Sequence, residues 1–438
     1  PLWLKIQKEE IQMRNLKRAL SLALAAIMLI GMMVVSASAT GLDDFSDKDK
    51  VVNKDAVSML VSLGIIEGKP DGSYGPTENV DRAQMAKMLS VIMNKGVDNS
   101  ALYQSVNSGL TDITSNWAKG HINYCYTTGI IAGRGNGTFD PSATVTALEA
   151  AKMLLVAVGY DPKIEGFEGA DWAINVSVRA DEQGIFEGFT KDLSAPLNRD
   201  DAALLIYNAL DVEMIQSYTT NNYPIVYSDH RTILSDKYGV IKVEGVVTAN
   251  EWAILDDDTD TALQEGKTRI YNPDGILSTT GNTAVAQDSS ANVKTQVFNV
   301  STPVDMLGKA VTMYVKKTTI LADSTVYGAP VVSDVNTVIE TGEKVTGGDS
   351  KDDDSLAALL KGTGLATDKA TEYYHNYEEV AIDSADVDDI MNVKGAALTV
   401  IDNDNDGYVN YVISVEKSLT HVSGVSSKNE TTTLYGLP

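Results

Sequence analysis

Leu63-Gly64-Ile65-Ile66-Glu67-Gly68, Thr128-Gly129-Ile130-Ile131-Ala132-Gly133 and Gln183-Gly184-Ile185-Phe186-Glu187-Gly188 are one pattern written three times. Each has a glycine, two apolar residues, a variable residue and a second glycine. Such self-similarity indicates a repeat architecture. Apolar residues at helical spacing precede each first glycine: Ala56, Leu60 and Leu63, then Ile122 and Tyr126, then Ile174 and Val178. They predict a helix in each copy, with these residues on its buried face. The first glycine falls where a helix C-cap needs left-handed backbone.

A turn follows, Asp71-Gly72-Ser73-Tyr74-Gly75-Pro76 in the first copy and Asn136-Gly137-Thr138-Phe139-Asp140-Pro141 in the second. Asp-Gly and Asn-Gly form turns readily, and the aromatic can plug the loop against the helices. A second helix is predicted over Arg82 to Ile92, Leu148 to Val158 and Arg199 to Leu210, entered through the polar caps Asp81, Thr146 and Asn198. The spacing agrees across copies. Trp117 and Trp172 each lie twelve residues before their glycine; Arg82 and Ala147 each lie eighteen after theirs, and Arg199 fifteen. The third loop is therefore shorter by three.

Phe45-Ser46-Asp47, Trp117-Ala118, Trp172-Ala173, the glycine pairs, the turns and Asp81-Arg82-Ala83-Gln84 together resemble the S-layer homology (SLH) repeat. The resemblance covers about 170 residues of the chain by alignment of the copies. It implies a pseudo-threefold all-α prism with grooves between repeats. Such domains bind secondary cell-wall polysaccharide non-covalently, commonly through a pyruvylated sugar. Arg82 and Arg199 match the family's arginine, whose planar fork suits a carboxylate beside a helix N-terminus. Trp117 and Trp172 either stack on a sugar face or fill the core. The second copy carries Ala147 in place of arginine, and the first has Val52 in place of tryptophan. One groove has therefore lost its main anion ligand. The first turn of the Ala147 helix is expected to face a solvent-filled groove.

Beyond Asp211 the composition changes. Ser217 to Pro224 reads as a linker, and β-like runs follow at Gly239 to Thr248, Ala310 to Val315, Ala396 to Ile401 and Tyr408 to Val415. They predict one or two antiparallel β domains, with a short helix at Leu356 to Leu360. Asp402, Asp404 and Asp406 alternate before Gly407, as in the opening of an EF-hand-type calcium loop. Ile413 stands where that loop has its bidentate glutamate. The same residues also suit an acidic turn between two strands. Asp256-Asp257-Asp258 and Asp352-Asp353-Asp354 read as exposed loops.

The N-terminal stretch reads as a targeting segment. Met13 to Arg18 is basic, Ala19 to Val35 is apolar, and Ala37-Ser38-Ala39 suits signal peptidase cleavage before Thr40. Pro1 to Gln12 precede the more natural start at Met13. A net charge of -25 argues against nucleic acid, which needs a basic face. The single cysteine, Cys125, excludes an intrachain disulfide. The four histidines show no metal-ligand spacing, and neither a G-x-S-x-G nor a P-loop is present.

The expected organisation is α+β and multidomain. Residues 1–39 are upstream residues and signal peptide, 40–215 three SLH repeats, and 216–438 an antiparallel β-rich region. The expected protein is secreted to the cell wall, has no permanent membrane span, and is anchored by secondary cell-wall polysaccharide. Its other expected partner is itself, in a surface lattice. The alternative is a wall-anchored polysaccharide hydrolase.

Overall fold

The computed structural model describes residues 42–255, 262–273, 294–316, 324–341, 356–380, 396–416, 422–426 and 431–434. The signal segment and the two contiguous aspartate runs lie outside the described residues. Six helices form three successive pairs: α1 (Lys54–Ser62) with α2 (Arg82–Met93), α3 (Lys119–Thr127) with α4 (Ala147–Val158), and α5 (Trp172–Glu182) with α6 (Arg199–Leu210). Gly64, Gly129 and Gly184 follow α1, α3 and α5 with φ of 69°, 80° and 69°, so the left-handed cap is present in all three copies. Asp81, Thr146 and Asn198 each accept a hydrogen bond from the backbone N–H three residues on, at 2.7, 3.2 and 2.8 Å.

The three pairs are tied by a closed ring of backbone hydrogen bonds. Val80 N–H donates to the Leu197 carbonyl at 2.8 Å, Leu197 N–H to Val145 at 2.8 Å, and Val145 N–H to Val80 at 2.9 Å. All three residues are buried. Each stands just before the cap of its pair's second helix, so the ring brings the three helix starts together. Tyr74 and Phe139 are buried, as the turn pattern requires. Asp47 accepts from Tyr74 and Gly75 N–H, and Asp112 accepts from Phe139 and Asp140 N–H, which fixes both turns.

Two expectations about the helical part fail. Ile174 and Val178 are 66% and 54% exposed; α5 instead buries Val176 and Ala180. Apolar residues two positions apart define two competing faces, and spacing alone does not choose between them. Ala147 is fully buried rather than facing a groove.

The segment read as a linker is a hairpin. Strands β1 (Ile215–Tyr218) and β2 (Pro224–Val226) pair antiparallel around Asn222, whose φ is 63°. Tyr218 Oη donates to Glu165 at 2.9 Å and accepts from Asp161 N–H, holding the hairpin against the third pair.

Two five-stranded sheets follow. The first runs β5 (Thr295–Phe298), β4 (Thr268–Tyr271), β3 (Val240–Ala249), β6 (Ala310–Lys316), β7 (Val326–Val332), antiparallel throughout. The second runs β10 (Glu378–Glu379), β9 (Glu372–His375), β12 (Tyr411–Glu416), β11 (Ala396–Asp402), β8 (Thr337–Glu340). Its β9 and β12 are parallel, so this sheet is mixed rather than antiparallel. The short helix is α7 (Leu356–Leu360), and a small hairpin closes the described chain with β13 (Val422–Ser426) and β14 (Thr431–Leu434).

Val243, Ile270 and Phe298 of the first sheet share one buried cluster with Tyr374, Ile401 and Ile413 of the second. The helical core continues into the first sheet through Tyr238, Val240 and Tyr314. Tyr207 of α6 meets Tyr314 edge-on, with ring centroids 5.9 Å apart. The helical and β parts therefore form one packed body. Among the described residues no helix is long and apolar enough to cross a membrane.

Candidate functional site

Two grooves open between the helical pairs, and each is built from all three. The first, about 570 Å³, takes Arg82 from α2, the Ala132–Gly135 loop, Glu149 and Lys152 from α4, and Trp172 at the start of α5. The second, about 240 Å³, takes Arg199 from α6, the Glu67–Pro70 loop, Gln84 and Lys87 from α2, and Trp117 just before α3. The same positions recur in cyclic order: an arginine from one pair, a loop and lysine from the next, a tryptophan from the third.

Both arginines stitch one pair to another. Arg82 donates through Nε to the Phe139 carbonyl at 2.8 Å and through Nη2 to Ala132 at 2.9 Å. Its guanidinium lies over the Phe139 ring, 4.4 Å from the centroid. Arg199 repeats the geometry, from Nε to Tyr74 at 2.8 Å and from Nη2 to Glu67 at 3.1 Å, over the Tyr74 ring. They differ in exposure: Arg82 is 4% exposed, whereas Arg199 is half-buried.

Trp117 is 58% exposed, so it belongs to the groove wall rather than the core. It sits edge-on to His121, whose Nδ1 lies 2.6 Å from Ser90 Oγ. His121 and Ser90 are both buried. Trp172 is half-buried, packs against the core and carries the Lys152 ammonium 5.5 Å from its centroid. Burial holds the Lys152 pKa below its ordinary value.

Sequence reading singled out neither lysine. The signal was present: Lys87 and Lys152 each follow the arginine position, 82 or 147, by five residues. At the third equivalent place, five after Arg199, stands Leu204.

The positions that would complete a third such groove carry none of these groups. Ala147 replaces arginine, Leu204 replaces lysine and Val52 replaces tryptophan. Nearby polar groups are spent on one another. Lys191 pairs with Asp201 at 2.5 Å, and Asp200 accepts from the Asn53 backbone and side chain at 3.2 and 2.9 Å.

Residues 44–86 and 109–151 match the S-layer homology domain model. The chain is a cell-surface protein carrying SLH domains. It is 27% identical over 394 residues to a cell surface protein of Thermoanaerobacter kivui, covering 89% of this chain and 44% of that protein. An S-layer protein of Bacillus licheniformis is 34% identical over 113 residues, 26% of this chain and 12% of that protein. An amylopullulanase of Thermoanaerobacterium thermosulfurigenes is 30% identical over 173 residues, 36% of this chain and 9% of the enzyme. The SLH chain spans less than half the length of these relatives. They place it at the cell wall surface, and they include both surface-layer proteins and enzymes.

In the turn between β11 and β12, Asp402, Asp404 and Asp406 bring carboxylate oxygens within 4.8 Å of one another. Asp402 is buried and accepts from the backbone N–H groups of Asp404, Asn405 and Gly407. Burial, with Asp406 adding to it, raises the Asp404 pKa. Ile413 is buried in β12, so no residue there replaces the missing bidentate glutamate. The turn is closed by these bonds to the Asp402 carboxylate, and Asp404 and Asp406 are exposed.

Proposed function

We propose that residues 42–212 are three SLH repeats in a pseudo-threefold arrangement, the third a divergent copy, and that they anchor the protein to acidic secondary cell-wall polysaccharide. The cyclic recurrence of arginine, lysine and tryptophan around two grooves carries this reading. A pyruvate ketal presents a carboxylate on a sugar ring. Each groove offers a cation for the carboxylate and an indole face for the ring. The third groove offers none of these groups, so two sites act per chain. Such shared grooves also explain why three repeats are needed for two sites: no single repeat supplies a whole groove.

The β-rich region is proposed as the outward module of a surface lattice rather than a hydrolase. Several of the similar proteins are named as surface-layer or cell-surface proteins, and the amylopullulanase and exoglucanase relatives each share about a third of this chain.

Co-sedimentation of the full chain with purified wall sacculi tests the anchor. Retention should fall sharply when mild acid has removed the ketal from the sacculi. Equal retention on both preparations would rule out recognition of the ketal carboxylate.

A further inference from the structure

We propose that the two grooves hold the ligand carboxylate with different cations, Lys152 in the first and Arg199 in the second. This rests on the anchoring reading above. Sequence pattern alone gives both grooves the same arginine. The charges around each arginine make the grooves unlike.

In the first groove Arg82 is already committed. Nε and Nη2 serve carbonyls, and Nη1 stands 3.9 Å from Glu149 Oε1. That carboxylate also takes Arg134 at 3.0 Å. A ligand carboxylate approaching Arg82 would meet Glu149 first. Lys152 has no carboxylate within 4.0 Å among the described residues; Glu168 and Glu149 in the same groove act on it only from farther away, and its ammonium lies over the face of Trp172. Its depressed pKa is the mark of a half-buried ammonium without sufficient counter-charge. An anion seated over Trp172 supplies that charge.

The second groove reverses the roles. Lys87 is paired with Glu67 at 3.1 Å, and Lys69 with Glu78. The residue matching Glu149 is Gln84, which carries no charge. Arg199 has no carboxylate within 4.0 Å among the described residues. Its Nε and Nη2 bind carbonyls, which leaves Nη1 for a ligand. A guanidinium sets the plane of a carboxylate, whereas an ammonium acts as a point charge. The second groove therefore selects anion geometry more strictly than the first.

The test is calorimetry of the full chain with a methyl hexopyranoside bearing a 4,6-pyruvate ketal. At neutral pH the wild type should show two sites. Lys152→Met should weaken one of them at least tenfold, as loss of a charged hydrogen bond implies, and leave the other intact, which also shows that the fold survives. Near pH 10 the wild type should lose the first site, because burial already holds the Lys152 ammonium below its ordinary value and lysine titrates in this range. Lys152→Arg should abolish that pH loss. Retention of both sites by Lys152→Met overturns the assignment while leaving the anchor standing. A wild type that does not bind the ketal sugar overturns both.

Discussion

Arg82 reaches across from the first repeat to the second and donates to the Ala132 carbonyl at 2.9 Å, inside the second G-x-x-x-G loop. The matching bond from Arg199 to Glu67 spans 3.1 Å and joins the third repeat to the first. An arginine at the start of the second helix is thus first a stitch between repeats. Only where its remaining nitrogen lacks a protein carboxylate does it become available to a ligand.

Arg82→Ala should therefore act on stability. It leaves two carbonyls without their charged donor in a buried seam, a loss of roughly 3 kcal/mol. Arg199→Ala, at a half-exposed position, should cost less stability and more binding. Chemical denaturation and sacculus retention, measured on both variants, separate the two effects. Equal stability losses would contradict the division of roles.

Ala147→Arg should not create a third binding site. Ala147 is fully buried, and the lysine and tryptophan positions of that groove hold Leu204 and Val52. Calorimetry should count the same sites as in the wild type, and stability should fall because the new side chain overpacks the core. A third site in this single variant would mean that arginine alone makes a groove.

At the junction of α6 with β3, burial pushes the Asp211 pKa up to about 6, with Lys242 at 4.0 Å pulling it back. The folded state then holds a proton that the unfolded chain has released. The stabilising contribution is present below the ordinary carboxylate pKa and is lost as pH rises through about 6. Asp211→Asn should flatten that part of the pH–stability curve. A wild type and variant with parallel curves between about pH 4 and 6 would refute the junction's protonation.

Millimolar calcium should raise the melting temperature modestly, with an affinity of about 10⁻⁴–10⁻³ M, as suits an incomplete ligand set. Asp404→Ala should remove the rise. Identical melting in calcium and in chelator would leave Asp402, Asp404 and Asp406 as an acidic turn.

The repeat region was readable because its signals are local. A left-handed glycine, a polar cap and a plugged turn each leave a residue at a fixed place. The two faces of α5 were not separable in this way, since Ile174, Val176 and Val178 are all apolar and only tertiary packing chooses among them. The lysines were missed for a different reason: a groove drawing on three repeats has no contiguous motif. In the β-rich region the strands at Ala310, Ala396 and Tyr411 show in their apolar runs. The parallel pairing of β9 with β12 leaves no trace in composition, because it depends on a crossover rather than a turn.

The anchor itself is tested most directly by removing the groove tryptophans together. Trp117→Ala with Trp172→Ala takes an indole face from each proposed site, while Val52→Ala changes the equivalent place in the third groove. Co-sedimentation of the full-length variants with purified sacculi should show at least a tenfold loss of affinity for the double variant, given about 1 kcal/mol or more for each indole, and none for Val52→Ala. Full retention of the folded double variant would contradict the account.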